Sequence, residues 1–137
     1  MVFLHIVSIF LTGLVVLYSD EQGLMWMLGK KEKLSKGQVD VLHTLVSIGL
    51  PLIILTGGLL YLRAPSYYFA NPTFIVKMIC VLVLIINGLF IGALTKLAVE
   101  QSFASLYKKQ RLQLLVSGAA SVLGWGGALL AGFLLER

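Results

Sequence analysis

The sequence predicts an all-α protein: a bundle of four transmembrane helices with both termini on the outer side of the membrane and a kink at Pro51. Three observations carry that expectation. Of the 137 residues, 58% are hydrophobic and 12% charged, about half the charged fraction of a soluble domain, and the mean hydropathy is +0.95. Four stretches are free of formal charge, residues 1–19, 41–62, 78–95 and 112–135, and crossing a bilayer core takes roughly 20 apolar residues at about 1.5 Å rise each. Finally, eight of the eleven Lys and Arg residues lie in the connections after the first and third stretches.

The first segment lacks the basic start and the small-residue cleavage site of a signal peptide, so it reads as a retained helix over about residues 2–19. The connection that follows holds an apolar patch, residues 24–28, between acids and lysines. It suits either an extension of the first helix or a short interfacial helix anchored by Trp26. The second helix is expected over about residues 40–62, with Pro51 removing one amide and crowding the carbonyl of Ser47. Next, RAPSYYFANPT combines two prolines with Tyr67, Tyr68 and Phe69, an aromatic belt at headgroup level, and Asn71-Pro72-Thr73 is a helix-start signal. The third helix then covers about 73–97 and the fourth about 111–135, giving one integral membrane domain, 1–137.

Lys30, Lys31, Lys33 and Lys36 in one connection, with Lys96, Lys108, Lys109 and Arg111 in the other, place both basic connections in the cytoplasm by the positive-inside rule. That assigns the chain to a plasma (inner) membrane as a multi-pass protein. Topology and anionic headgroups account for the net charge of +5, so the charge gives no reason to invoke a nucleic-acid partner, and the lipid bilayer is the expected one. A single cysteine, Cys80, excludes an intrachain disulfide. Phosphate loops, nucleophile elbows and closely spaced Cys/His zinc motifs are missing, which excludes soluble hydrolase chemistry.

Helical spacing then sorts the polar residues. On the first helix His5, Ser8, Thr12 and Ser19 fall within about 60° at 100° per residue. His43, Ser47, Gly57, Gly58 and Tyr61 share a broader stripe on the second. Lys77, Cys80, Gly88 and Thr95 share a side of the third, with Asn87 at its edge. On the fourth, Ala120, Gly124, Ala128 and Gly132 form an i, i+4 ladder, flanked by Ser117, Ser121 and Trp125. Small residues let helix backbones approach, and the ladder is the expected face for packing, including contact with a second copy.

Ionisable groups at bilayer depth are costly and mark function by default. Snorkelling is the competing reading for Lys77, and a hydrogen-bonded structural imidazole the competing reading for His5 and His43. With the N-terminus outside, His5 and Lys77 form an outer cluster. His43 belongs to an inner one with Asp20, Glu21 or Asp40, and Lys96. The two histidines stand about 16 Å apart along the membrane normal at 1.5 Å per residue, too far to share one haem.

A His near the start of the first helix, the step Thr56-Gly57 late in the second, and a third helix running from Lys77 to Asn87 resemble the small four-helix membrane proteins grouped with the copper-resistance D family and the four-helix bacterial protoporphyrinogen oxidase. The resemblance covers roughly residues 1–97. It implies that His5 and Lys77 matter for haem binding or activity. Asn87 stands where the oxidase-like pattern tends to have a second His, and is the matching cofactor-side position. The stretch SDEQGLMWMLGKK has no counterpart in the pattern.

Two main functional expectations follow. One is a haem b or tetrapyrrole-binding, redox-active membrane protein, with His5 or His43 as axial ligand to the iron, Lys77 pairing with a propionate or moving a proton, and Asp20 among the proton-holding acids. The other is a small oligomeric transporter or ion- and proton-handling protein, with His43 and Asp20 or Asp40 as an inner gate and His5 and Lys77 as an outer one. A structural or assembly subunit of a membrane complex is the third class.

Overall fold

The computed structural model describes residues 1–135, and all of its regular structure among them is helical. Helix α1 spans Val2–Met27, α2 Lys36–Arg63, the short α3 Pro65–Phe69, α4 Pro72–Glu100 and α5 Lys108–Leu135, with a 3-10 turn, Phe103–Ser105, before α5. The four long helices are apolar and long enough to cross a membrane, and they form a four-helix bundle. Its basic end carries the α1–α2 and α4–α5 connections. Its aromatic end carries the N-terminus and α3.

The long helices begin and end where local chemistry dictates. Asn71 caps α4, its side-chain oxygen accepting from the Thr73 amide at 3.0 Å, and Pro72 fills the first helical position. At the far end of α1, Gly29 adopts a φ of 76°. Around it the Lys30 amide donates to the Met25 carbonyl at 2.9 Å and the Gly29 amide to the Trp26 carbonyl at 3.1 Å. That pair of bonds is the Schellman stop. The apolar patch at 24–28 therefore extends α1 rather than forming a separate interfacial helix, and α1 outruns its expected end at residue 19. Pro51 lies inside α2, which continues through it.

Trp26 is not an interface anchor: it is 1% exposed, the most buried large side chain of the described residues. Its indole N–H donates to the Gln101 carbonyl at 3.0 Å, and Phe103 meets its ring edge-on at 5.4 Å. Ala98, Leu106 and Leu114 complete this core, and the Arg111 guanidinium lies over Phe103 at 5.7 Å. The Leu34 amide donates to the Ala98 carbonyl at 2.9 Å, tying the first connection to the end of α4. The basic end is thus closed by a cap built from three segments.

Within the span, α1 packs along α2 and α4 along α5, with lighter contact between the two pairs. Glycines set the approach. A Cβ on Gly124 would lie 2.7 Å from Leu84 Cδ2, and one on Gly127 2.6 Å from Cys80 Sγ. One on Gly132 would lie 3.5 Å from Lys77 Nζ. The ladder expected as a packing face is one, meeting α4 of the same chain at Gly124 and Gly132. Gly49 faces the Thr12 side chain in the same way, where α2 meets α1. Large apolar side chains such as Phe3, Phe10, Leu89 and Leu123 point outward, as a lipid-facing surface requires.

Gly124→Leu should overpack this seam and lower stability by about 1–3 kcal/mol. Ala119→Leu, on the exposed side of α5, should change it little. Thermal unfolding of both variants in mild detergent checks the pair, and equal stability would remove Gly124 from the packing seam.

Candidate functional site

The α1 stripe is buried as its spacing requires: His5 is 4% exposed, and Ser8 and Thr12 are 5% each. Ser8 donates to the Leu4 carbonyl at 2.7 Å, an intrahelical bond that satisfies its hydroxyl. His5 instead reaches across to α2, with Nδ1 2.8 Å from Thr56 Oγ1. The Thr56 hydroxyl lies 2.8 Å from the Leu52 carbonyl and 3.1 Å from that of Ile53. Both are pure acceptors, so they compete with His5 Nδ1 for the single hydroxyl proton. With that proton on the α2 backbone, Nδ1–H donates to Thr56 and Nε2 is the unprotonated nitrogen; with the Thr56 proton directed to Nδ1 the tautomer is the reverse.

His5 lines a cavity of about 410 Å³ at the aromatic end, together with Lys77 of α4, and the two groups interact electrostatically. The outer cluster expected from depth is therefore assembled. Its walls come from all five helices. Gly57 and Gly58 supply bare backbone on α2, and a Cβ on Gly57 would stand 3.1 Å from His5 Cε1. Tyr61 stacks on Phe74 at 5.6 Å, and Tyr68 of α3 joins both rings. Of the anticipated aromatic belt, Tyr67 and Phe69 are exposed while Tyr68 turns inward to close the cavity.

The second cavity, about 170 Å³, lies toward the basic end. Asp20 lines it together with His43, as expected, whereas Glu21, Asp40 and Lys96 do not. Ser121 of α5 donates to the Asp20 carboxylate, 3.1 Å from one oxygen and 3.3 Å from the other. Glu21, Asp40 and Lys96 are exposed, and His43 stands at the cavity rim on an exposed part of α2. Asn87 also belongs to this cavity, accepting from the Ser117 hydroxyl at 2.7 Å. It lies ten residues along α4 from Lys77, about 15 Å away, and so is not beside His5.

Of the α2 stripe, Gly57, Gly58 and Tyr61 line the aromatic-end cavity and His43 the other, whereas Ser47 is exposed and Ile53 and Thr56 are the residues α2 buries. Thr56 is the direct partner of His5, a role its spacing from His43 does not reveal. Because His5 is bonded to Thr56, the thirteen residues from His43 to Thr56 set the separation of the histidines at about 20 Å along α2. They line different cavities, and among the described residues no group of three His, Cys, Asp or Glu side chains converges to hold a metal ion.

No family model, no curated protein and no solved structure matches the chain.

Thr56→Val keeps the β-branched shape but removes the hydroxyl bonded to His5. Stability should fall by about 1 kcal/mol, while Thr56→Ser should lose much less. A Val variant as stable as the Ser variant in thermal unfolding would mean that the hydroxyl contributes nothing to the His5 site.

Proposed function

We propose that the protein is a multi-pass membrane protein that binds haem or a related tetrapyrrole in the aromatic-end cavity, with His5 as its axial ligand. The observation that supports this reading is the 2.8 Å hydrogen bond between His5 Nδ1 and Thr56 Oγ1 on the wall of that cavity, which orients the imidazole through one ring nitrogen and leaves the other, Nε2, for a ligand. Metal-bound imidazoles are ordinarily oriented in this way, through the ring nitrogen that does not bind the metal. The cavity volume, about 410 Å³, lies within the usual range for small-molecule sites.

Each neighbouring group has a part in this reading. Thr56 holds the ring plane. Lys77 supplies a positive charge that attracts a ligand carboxylate at the membrane surface, as a tetrapyrrole's side chains would present. Tyr61, Tyr68 and Phe74 form an apolar lid that excludes water, and Gly57 and Gly58 leave a face without side chains against which a flat ring system lies. When bound, haem supplies one-electron chemistry, tuned by its axial ligand and the dielectric of its surroundings. We further propose that the basic end faces the cytoplasm across a plasma membrane, which puts the His5 cavity and both termini on the outer side.

The test is an absorbance spectrum, from about 350 to 650 nm, of protein purified in mild detergent from haem-supplemented cells, before and after dithionite. A Soret band that survives His43→Ala and disappears in folded His5→Ala protein is the expected outcome. A featureless spectrum of folded wild-type protein would sink the haem reading.

A further inference from the structure

Beside the basic-end cavity lies a second space of different character. A groove of about 570 Å³ runs along the outside of α4 and α5 toward the basic end, lined by apolar side chains that include Val83, Phe90, Leu94 and Val116. Asn87 and Ser117 line the groove and also line the inner cavity. The wall between the two spaces therefore includes the hydrogen-bonded Asn87–Ser117 pair, at 2.7 Å. The groove opens where the glycine seam ends. Gly124, Gly127 and Gly132 clamp α5 to α4 toward the aromatic end, and no glycine contact holds the helices together beside residues 112–120.

Charge distinguishes the two spaces. No Lys or Arg is among the described residues lining the inner cavity, yet it holds the Asp20 carboxylate. Among the described residues Ser121 alone hydrogen-bonds that carboxylate, and one hydroxyl proton leaves most of its acceptor capacity unused. His43 at the rim is the other titratable group facing this space. The Trp125 ring also lines it, and an aromatic face favours a cation. A carboxylate in such surroundings is costly without a positive partner.

We propose that cavity and groove form one binding site for a single-chain amphiphile bearing a protonated amine, its ammonium held by Asp20 and Ser121 and its chain laid between α4 and α5. The cavity volume of about 170 Å³ admits a small headgroup but not a phospholipid's, and an anionic phosphate would meet the Asp20 charge unfavourably. From Asn87 to Leu94 the groove runs seven residues along α4, about 10 Å, which takes roughly the first eight carbons of an extended chain. Entry is lateral, from the bilayer, and opens the Asn87–Ser117 hydrogen bond to join the two spaces. This site is separate from the His5 cavity and does not depend on what binds there.

Ligand-induced thermal stabilisation of the purified full-length protein in a mild non-ionic detergent tests the proposal, since a ligand that binds only the folded state raises Tm by mass action. Dodecylamine should raise the wild-type Tm, whereas dodecanol, which lacks the charge, and butylamine, which lacks the chain, should not at the same concentration. Asp20→Asn keeps an oxygen that accepts from Ser121 and should need at least tenfold more dodecylamine for the same shift. Ala120→Phe fills the groove from α5 and should weaken the response similarly, measured against that variant's own unliganded Tm. An equal response to dodecanol, or an unchanged response in Asp20→Asn, overturns the role of the carboxylate and with it the proposal. An equal response to butylamine, or an unchanged response in Ala120→Phe, overturns it through the groove.

Discussion

Close approach of helix backbones at glycine is the constraint on which this bundle depends. Lipid tails are as apolar as leucine, so burying leucine against leucine gives the helices little reason to associate. What remains is tight packing and interhelical hydrogen bonding, both of which need backbones near one another. Gly124 and Gly127 meet the Leu84 and Cys80 side chains, and Gly49 meets Thr12. At each, the space a Cβ would need is already taken by the neighbouring helix. These contacts fix the register of each pair, and register decides which polar groups meet. With Thr12 held against Gly49, seven residues toward the N-terminus of α1 and seven along α2 bring His5 to Thr56.

The consequence is a bundle whose polar interior is divided. Away from the exposed Gln38–Tyr18 and Tyr67–Leu135 bonds, cross-helix hydrogen bonds within the bundle occur at three levels: His5 to Thr56 near the aromatic end, Ser117 to Asn87 farther along, and Ser121 to Asp20. The first belongs to the α1–α2 pair and the second to the α4–α5 pair, whereas the third joins one pair to the other. Since direct packing between the pairs is light, the Asp20 bond and the Trp26 cap are what connect them toward the basic end. Trp26 shows the difference between membrane and aqueous packing within one chain. Its cap includes loop residues around Phe103 and Leu106, where irregular backbone is tolerated because it lies beyond the hydrocarbon.

Much of the architecture was legible because charge and hydropathy are one-dimensional signals. Segment number and the α1 stripe all follow from them, as does the start of α4 at Asn71-Pro72. Helix ends at the basic side were harder. Charge marks where the bilayer stops, whereas a helix stops where its carbonyls find other partners, as at Gly29. The glycine ladder was legible as a packing face but not as to its partner: small residues permit approach without naming what approaches, and here α4 of the same chain takes the place. Pairing across helices was least legible. The inner carboxylate was found from sequence, but Ser121 was noted only as a flank of the ladder, and nothing in α1 or α5 alone sets the rotation that brings it to Asp20.

Gly57 shows why fold and site are difficult to separate here. A Cβ at that position would stand 3.1 Å from His5 Cε1, tighter than ordinary van der Waals contact, so either the imidazole or α2 would have to move. Displacing the ring lengthens the bond to Thr56, whose hydroxyl also lies within hydrogen-bond reach of its own helix. Moving the helix opens the α1–α2 seam that Gly49 closes. The same absence of a side chain thus permits the helices to approach, holds the imidazole in one orientation and leaves the adjoining wall of the cavity bare. A site of this kind is specified by what the sequence omits as much as by the histidine it contains.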